Sequence, residues 1–191
     1  MKKYFLYIFF LLTVCNFAYS ENQIYLKDLK LNQDINNYFS NQEIAEYNIE
    51  DFGYGSNSKY SLLMDIANKF KNNEYDSFTI AYETKSKKIA YYAAFLQGFK
   101  NLNECLNYRD EQVSKNRKKF TFHKKSSGQL THQDGLIQEA IRFKSIKTEA
   151  KFTCDYYEDE EFTRADFRFD ALTTKFNEWV VELEGTKNTS N

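Results

Sequence analysis

The sequence predicts an α+β fold: a single domain in which antiparallel strands carry helices packed on one face, in the rough order α-βββ-α-βββ-α. Three observations lead there. Phe78, Ile80 and Tyr82 alternate with polar residues, and beyond the polar turn "ETKSKK" Ile89, Tyr91, Ala93 and Phe95 continue one face of a return strand. Asn101, with Glu104 three residues on, is placed to cap a helix whose stripe is Leu102, Cys105, Leu106, Val113 and Phe120, with Arg109 at its margin. Further strands recur in the last third, so helices and antiparallel strands take turns along the chain.

Taken in order, Leu31, Ile35, Tyr38 and Phe39 recur at helical spacing, and Ser40 with Glu43 has the spacing of a capping box. The segment from Gly53 to Ser58, "GYGSNS", reads as a loop. "KYSLLMDIANKF" is ambiguous. Tyr60, Leu62, Met64 and Ile66 alternate like a strand, whereas Leu63, Ile66, Ala67 and Phe70 recur like a helix; the hairpin that follows favours the strand. After the capped helix the basic run "KNRKKF" suits a carboxyl terminus, where cations complement the helix dipole. "HKKSSGQLTHQDG" has no apolar period and is expected to be a polar connection. A meander follows: Ile137, Ile141 and Phe143, their face interrupted by Glu139; then Ala150, Phe152, Cys154 and Tyr156; then Ala165, Phe167, Phe169 and Ala171. "YEDEEFT" joins the last two strands, and a short helix around Phe176, Trp179, Val180 and Leu183 closes the fold before a disordered tail, 186–191.

The first twenty residues, "MKKYFLYIFFLLTVCNFAYS", have the charged start, apolar run and small-x-small ending of a signal peptide cleaved after Ser20. The run is well short of the roughly 20 apolar residues that span a bilayer. Cys15 raises lipid attachment as an alternative, but Val14 stands where such signals need a small residue. The reading is therefore an exported protein, periplasmic or secreted, with 21–185 as one domain. No stretch after residue 20 is long and apolar enough to be a transmembrane segment.

Cleavage removes Lys2 and Lys3 and no acid, leaving a chain two charges more negative than the −1 of the whole. That balance gives no electrostatic footprint for nucleic acid. The sequence contains no proline, which removes prolyl isomerisation from folding and the usual proline guard on sheet edges.

Of three cysteines, Cys105 and Cys154 remain after cleavage, each on an apolar face and in an oxidising compartment. A disulfide between them closes a loop of about 50 residues and is worth roughly 3 to 4 kcal/mol in the chain-entropy account. Two separate buried thiols are the alternative. Redox catalysis lacks a C-x-x-C, and Arg109 stands too close to Cys105 for a C-x5-R phosphate loop. His123 and His132 flank Ser126, Ser127 and Gly128 without the spacing of a metal site or a G-x-S-x-G nucleophile, and read as loop histidines. Glu158, Asp159, Glu160 and Glu161 lack the alternation and glycine of a calcium loop, so a solvated hairpin tip is expected. No catalytic, cofactor-binding or metal residue is assigned. Tyr91, Tyr92, Phe95, Tyr156, Tyr157, Phe167, Phe169 and Trp179 read as sheet-forming core, with a stacking platform as the alternative if Tyr92 and Tyr157 point outwards together.

"YDSFTIAYETKSKKIAYYAAFLQGFKNLNEC" runs Tyr75-Asp76, strand, lysine-rich turn, strand, Gly98, then Asn-x-x-x-Cys. With the later strand carrying Cys154 and the closing "FNEWV", it resembles uncharacterised small exported proteins of AT-rich marine bacteria. The resemblance implies an exported α+β domain and carries over no site residue. The first expectation is a non-catalytic interaction or binding module whose partner the sequence does not name, another envelope protein being one candidate. The alternatives are an envelope hydrolase assembled from sequence-distant Asp, Glu and His residues, and a ligand-binding domain that uses aromatic strand faces.

Overall fold

The apolar alternation is realised as one antiparallel sheet. The computed structural model describes residues 24–49, 59–71, 74–121, 123–132, 134–157 and 164–188, with side chains as far as residue 183. The strands are β1 (Asn48–Ile49), β2 (Tyr60–Leu63), β3 (Ser77–Glu83), β4 (Ile89–Phe99), β5 (Lys124–Thr131), β6 (Leu136–Lys144), β7 (Thr148–Tyr157) and β8 (Ala165–Thr173). Three α-helices accompany them among the described residues: α1 (Asn41–Tyr47), α2 (Leu102–Asn116) and α3 (Thr174–Asn188). The strands lie in the order β1-β2-β3-β4-β8-β7-β6-β5, so every pair is a sequence neighbour except β4 and β8, which join the two halves. The α+β class holds.

Two of the three helices share one face of the sheet, here called the front. The register sets Leu63, Ile80, Tyr92, Ala171 and Ala150 in one row across that face, with Phe78, Ala94, Phe169 and Phe152 in the next. Over β2 to β4 lies an N-terminal cover, made of 3-10 turns at Leu26–Asp28 and Ile35–Asn37 followed by α1. Its Leu29, Ile35, Phe39 and Ile44 pack against Leu63, Phe78 and Ile80. Phe39 is 1% exposed, a burial worth about 2 to 3 kcal/mol. Over β6 to β8 lies a second cover, α2 and the 3-10 turn Arg117–Phe120, whose Cys105, Val113 and Phe120 pack against Phe143, Phe152 and Phe167. The third helix crosses the back of the sheet, where Phe176 and Trp179 meet Tyr60, Leu62 and Leu172.

Local chemistry explains the boundaries. Ser40 and Glu43 form the expected capping box: Glu43 N–H donates to Ser40 Oγ (3.3 Å) and Ser40 N–H donates to Glu43 Oε2 (2.7 Å). Glu104 N–H donates to Asn101 Oδ1 at 3.0 Å, which starts α2 where the sequence places it.

Several expectations change. "HKKSSGQLTHQDG" is no connection: Lys124–Thr131 is β5, paired residue for residue with β6. It lacked an apolar period because it is an edge strand with all eight residues exposed, so neither face demanded apolar side chains. The ambiguous stretch is both things in turn, strand at Tyr60–Leu63 and 3-10 turn at Ala67–Lys69. Leu31 to Phe39 contains only a 3-10 turn, because the helix begins at Asn41 after the Ser40 cap. A register shift opposite Ala81 and Tyr82 puts Ile89 across from Tyr82 but Tyr91 across from Ala81, so Ile89 faces the front and Tyr91 the back. The 53–58 loop, the acidic run 158–161 and the signal residues 1–20 lie outside the described residues.

Candidate ligand-binding cleft

The two covers face each other across an opening. Between them the front of the sheet is open as a cleft of about 570 Å³, a size typical of small-molecule sites. Its existence follows from register. In the row Ile80, Tyr92, Ala171, Ala150, Phe143 two adjacent residues are alanines paired on neighbouring strands, so the surface dips between larger neighbours. Phe78, Tyr92, Phe152 and Phe169 complete the floor. The rings of Phe152 and Phe169 lie 4.9 Å apart and those of Tyr92 and Phe169 6.1 Å apart.

One wall is the chain from Tyr25 to Leu31, and the other is Gln112, Asn116, Lys119, Phe120 and His123. Phe120 anchors the second wall by stacking on Phe143 with ring centres 4.9 Å apart, and it meets His123 in a T-shaped contact with ring centres 5.5 Å apart. His123 Nε2 lies 3.4 Å from Thr148 Oγ1, while its buried Nδ1 has no partner among the described residues. Gln112 is 5% exposed and its buried Nε2 is likewise unpartnered. Asn116 Nδ2 donates to the Gln112 carbonyl at 2.9 Å, and Lys119 Nζ donates to Asn116 Oδ1 at 2.8 Å. Near the mouth Lys27 and Lys71 lie 5.0 and 5.8 Å from the centre of the Tyr25 ring.

Burial pushes the Tyr92 phenol up to about 12, with Tyr38 adding to it. Burial, helped by Glu74 and partly offset by the neighbouring Tyr108 hydroxyl, pushes Tyr75 up to about 12 as well. Both phenols therefore stay protonated at neutral pH. The floor is apolar and uncharged, suited to holding a flat or chain-like body.

The cysteines are joined: Cys105 and Cys154 form a disulfide with S–S 2.04 Å and Cα–Cα 6.0 Å, and both are fully buried. Neither is a free thiol, so no cysteine nucleophile exists among the described residues. His123 and His132 stand at opposite ends of β5, separated by roughly 25 to 30 Å of extended chain. Only His123 reaches the cleft. Tyr92 faces the front and Tyr157 the back, which removes the platform the two would have formed together.

Carboxylates converge on the back of the sheet. Arg168 Nε donates to Asp170 Oδ2 at 2.9 Å, its Nη1 lies 3.3 Å from Asp155 Oδ2, and Tyr91 Oη donates to Asp170 Oδ1 at 2.9 Å. Burial outweighs the Arg168 charge and holds the Asp155 carboxyl above its usual range, with Asp170 adding to the shift. The cluster and the cleft thus lie on opposite faces. Among the described residues no group of three or more His, Cys, Asp or Glu is placed to hold a metal ion. No described helix is long and apolar enough to cross a membrane.

No family model, curated protein or solved structure matches this chain. The reading of the cleft therefore rests on its own chemistry. Local sequence pattern had pointed to the aromatics and to neither alanine, because a dip in a sheet is a property of two strands in register.

Proposed function

We propose that this chain is an exported binding domain, periplasmic or secreted, whose small-molecule ligand lies across the aromatic floor between the two covers. The observation that carries the reading is the dip at Ala150 and Ala171 beneath a cleft of about 570 Å³. Export is supported by the signal pattern of residues 1–20 and by the Cys105–Cys154 bond, which suits an oxidising compartment. The neutral apolar dye N-phenyl-1-naphthylamine tests the cleft: it brightens on binding the wild-type protein, and Ala171→Leu, which fills the dip, weakens it at least tenfold at unchanged secondary structure. Equal brightening by both proteins places the dye elsewhere and removes the reading.

A second reading, association with another envelope protein, is favoured by β5. This edge strand is exposed along its length and has no proline, the conditions under which a partner strand can add. A photo-crosslinking residue at Gln129 tests it. A crosslink to an extended segment of a partner supports strand addition, and attachment to helices or to nothing opposes it.

A further inference from the structure

The cleft carries more than an apolar floor. The whole chain has a net charge of −1, yet Lys27, Lys30, Lys71 and Lys119 all line this one opening, against the carboxylate of Glu74. None of the four lysines is in a salt bridge among the described residues, and all four are exposed. Glu149 also borders the opening, but it is paired with Leu172 in the back-face register and its carboxylate lies 3.9 Å from Lys151. Against the wall sits the buried Gln112 amide with an unused N–H donor. A buried donor without a partner is costly to the fold, a cost that an acceptor atom on a ligand removes.

We infer that the ligand is an amphipathic anion: an apolar aromatic or alkyl body that fills the floor, bearing one carboxylate, sulfonate or phosphate group toward the lysines and an oxygen toward Gln112. This rests on the cleft being the binding site, as proposed above. The division of labour follows from the two surfaces. Phe152, Phe169 and Tyr92 offer apolar area with no charge at neutral pH. The lysines sit where water still reaches, so their attraction is long-ranged and screened by salt. Charge at the mouth therefore selects and steers, while the floor retains.

A matched pair of dyes separates the two claims. Anilinonaphthalene sulfonate and N-phenyl-1-naphthylamine share the same aromatic framework and differ by the sulfonate. They are titrated into the oxidised full-length domain, into a variant with Lys27, Lys30, Lys71 and Lys119 each changed to Gln, into Gln112→Leu, and into Ala171→Leu. The expected result is that the sulfonate dye binds the wild type at least tenfold tighter at low salt. That advantage shrinks as salt is raised, disappears in the four-lysine variant and falls severalfold in Gln112→Leu, while the neutral dye is unmoved by either change. Equal affinities for the two dyes, or a sulfonate preference that survives loss of the lysines, overturns the anion inference while leaving the cleft as a binding site if Ala171→Leu still blocks both. Failure of both dyes to bind, or their indifference to Ala171→Leu, overturns the proposed site and this inference with it.

Discussion

The two covers on the front of the sheet are built to similar ends by different chemistry. The second cover is a helix of 15 residues continued by one 3-10 turn, tied through the fully buried Cys105–Cys154 bond to the strand beneath it. The N-terminal cover has two 3-10 turns and a seven-residue helix, and no covalent tie among its described residues. It is held by apolar packing, by isolated bridges between Ile24 and Phe70 and between Asp34 and Lys88, and by the ion pair of Glu43 with Lys69, a lysine only 2% exposed. A short helix is marginal by itself, so this half depends on tertiary contacts for its order. One wall of the cleft is thus fixed and the other is reversible, and adjustment to a ligand should fall on the Tyr25 side.

Breaking the covalent tie has the largest expected effect. Cys105→Ala with Cys154→Ala should lower stability by roughly 3 to 4 kcal/mol in denaturant unfolding, and reduction of the wild type should give the same loss. Breaking the ionic tie is the next. Glu43→Ala leaves the Lys69 ammonium buried without its counter-charge and should cost about 2 to 3 kcal/mol, whereas Glu43→Ala combined with Lys69→Met should recover most of it. Hydrogen exchange under native conditions sharpens the comparison, since Glu43→Ala should raise exchange in 24–47 and leave α2 unchanged.

The smallest effect is in pH, where the halves should respond with opposite sign. Burial works against the Glu43 carboxylate, but hydrogen bonds from Lys69 and from Ser40 outweigh it and hold its pKa below the usual range. Its contribution is present above the unfolded-state value and is lost as pH falls through the depressed folded-state value. Asp155 is the reverse: burial raises it, so ionising it weakens the fold as pH rises from the unfolded-state value through the folded-state one. Between about pH 3 and 6 the stability of Glu43→Gln relative to wild type should fall with rising pH, and that of Asp155→Asn should rise. Parallel slopes in thermal melts across that range would contradict the assignment.

Elements that bury one face were legible in the sequence. The hairpin of Phe78, Ile80 and Tyr82, the meander of Phe152, Cys154 and Phe167, and the caps at Ser40 and Asn101 each rest on local rules that the fold obeys. The disulfide followed from compartment and count. What escaped had no local rule to follow. Strand β5 buries nothing, so it carries no period, and the register shift at Ala81 and Tyr82 reverses a face without a signal in composition. The cleft draws on residues from Tyr25 to Ala171, and its defining alanines read as ordinary sheet positions until β7 and β8 are set side by side.

The position of the disulfide within the topology bears on how fast the chain can fold. Among the described strands the only pairing that skips sequence neighbours is β4 with β8, which needs Phe99 and Ala165 to find one another across the whole intervening meander. Cys105 lies just inside one end of that segment and Cys154 just inside the other, 49 residues apart. In an oxidised chain the bond shortens the loop to be closed roughly fourfold, which lowers its entropic barrier by about 1 kcal/mol. The bond that pins a wall of the cleft in the native state also brings the two halves of the sheet within reach before either has formed.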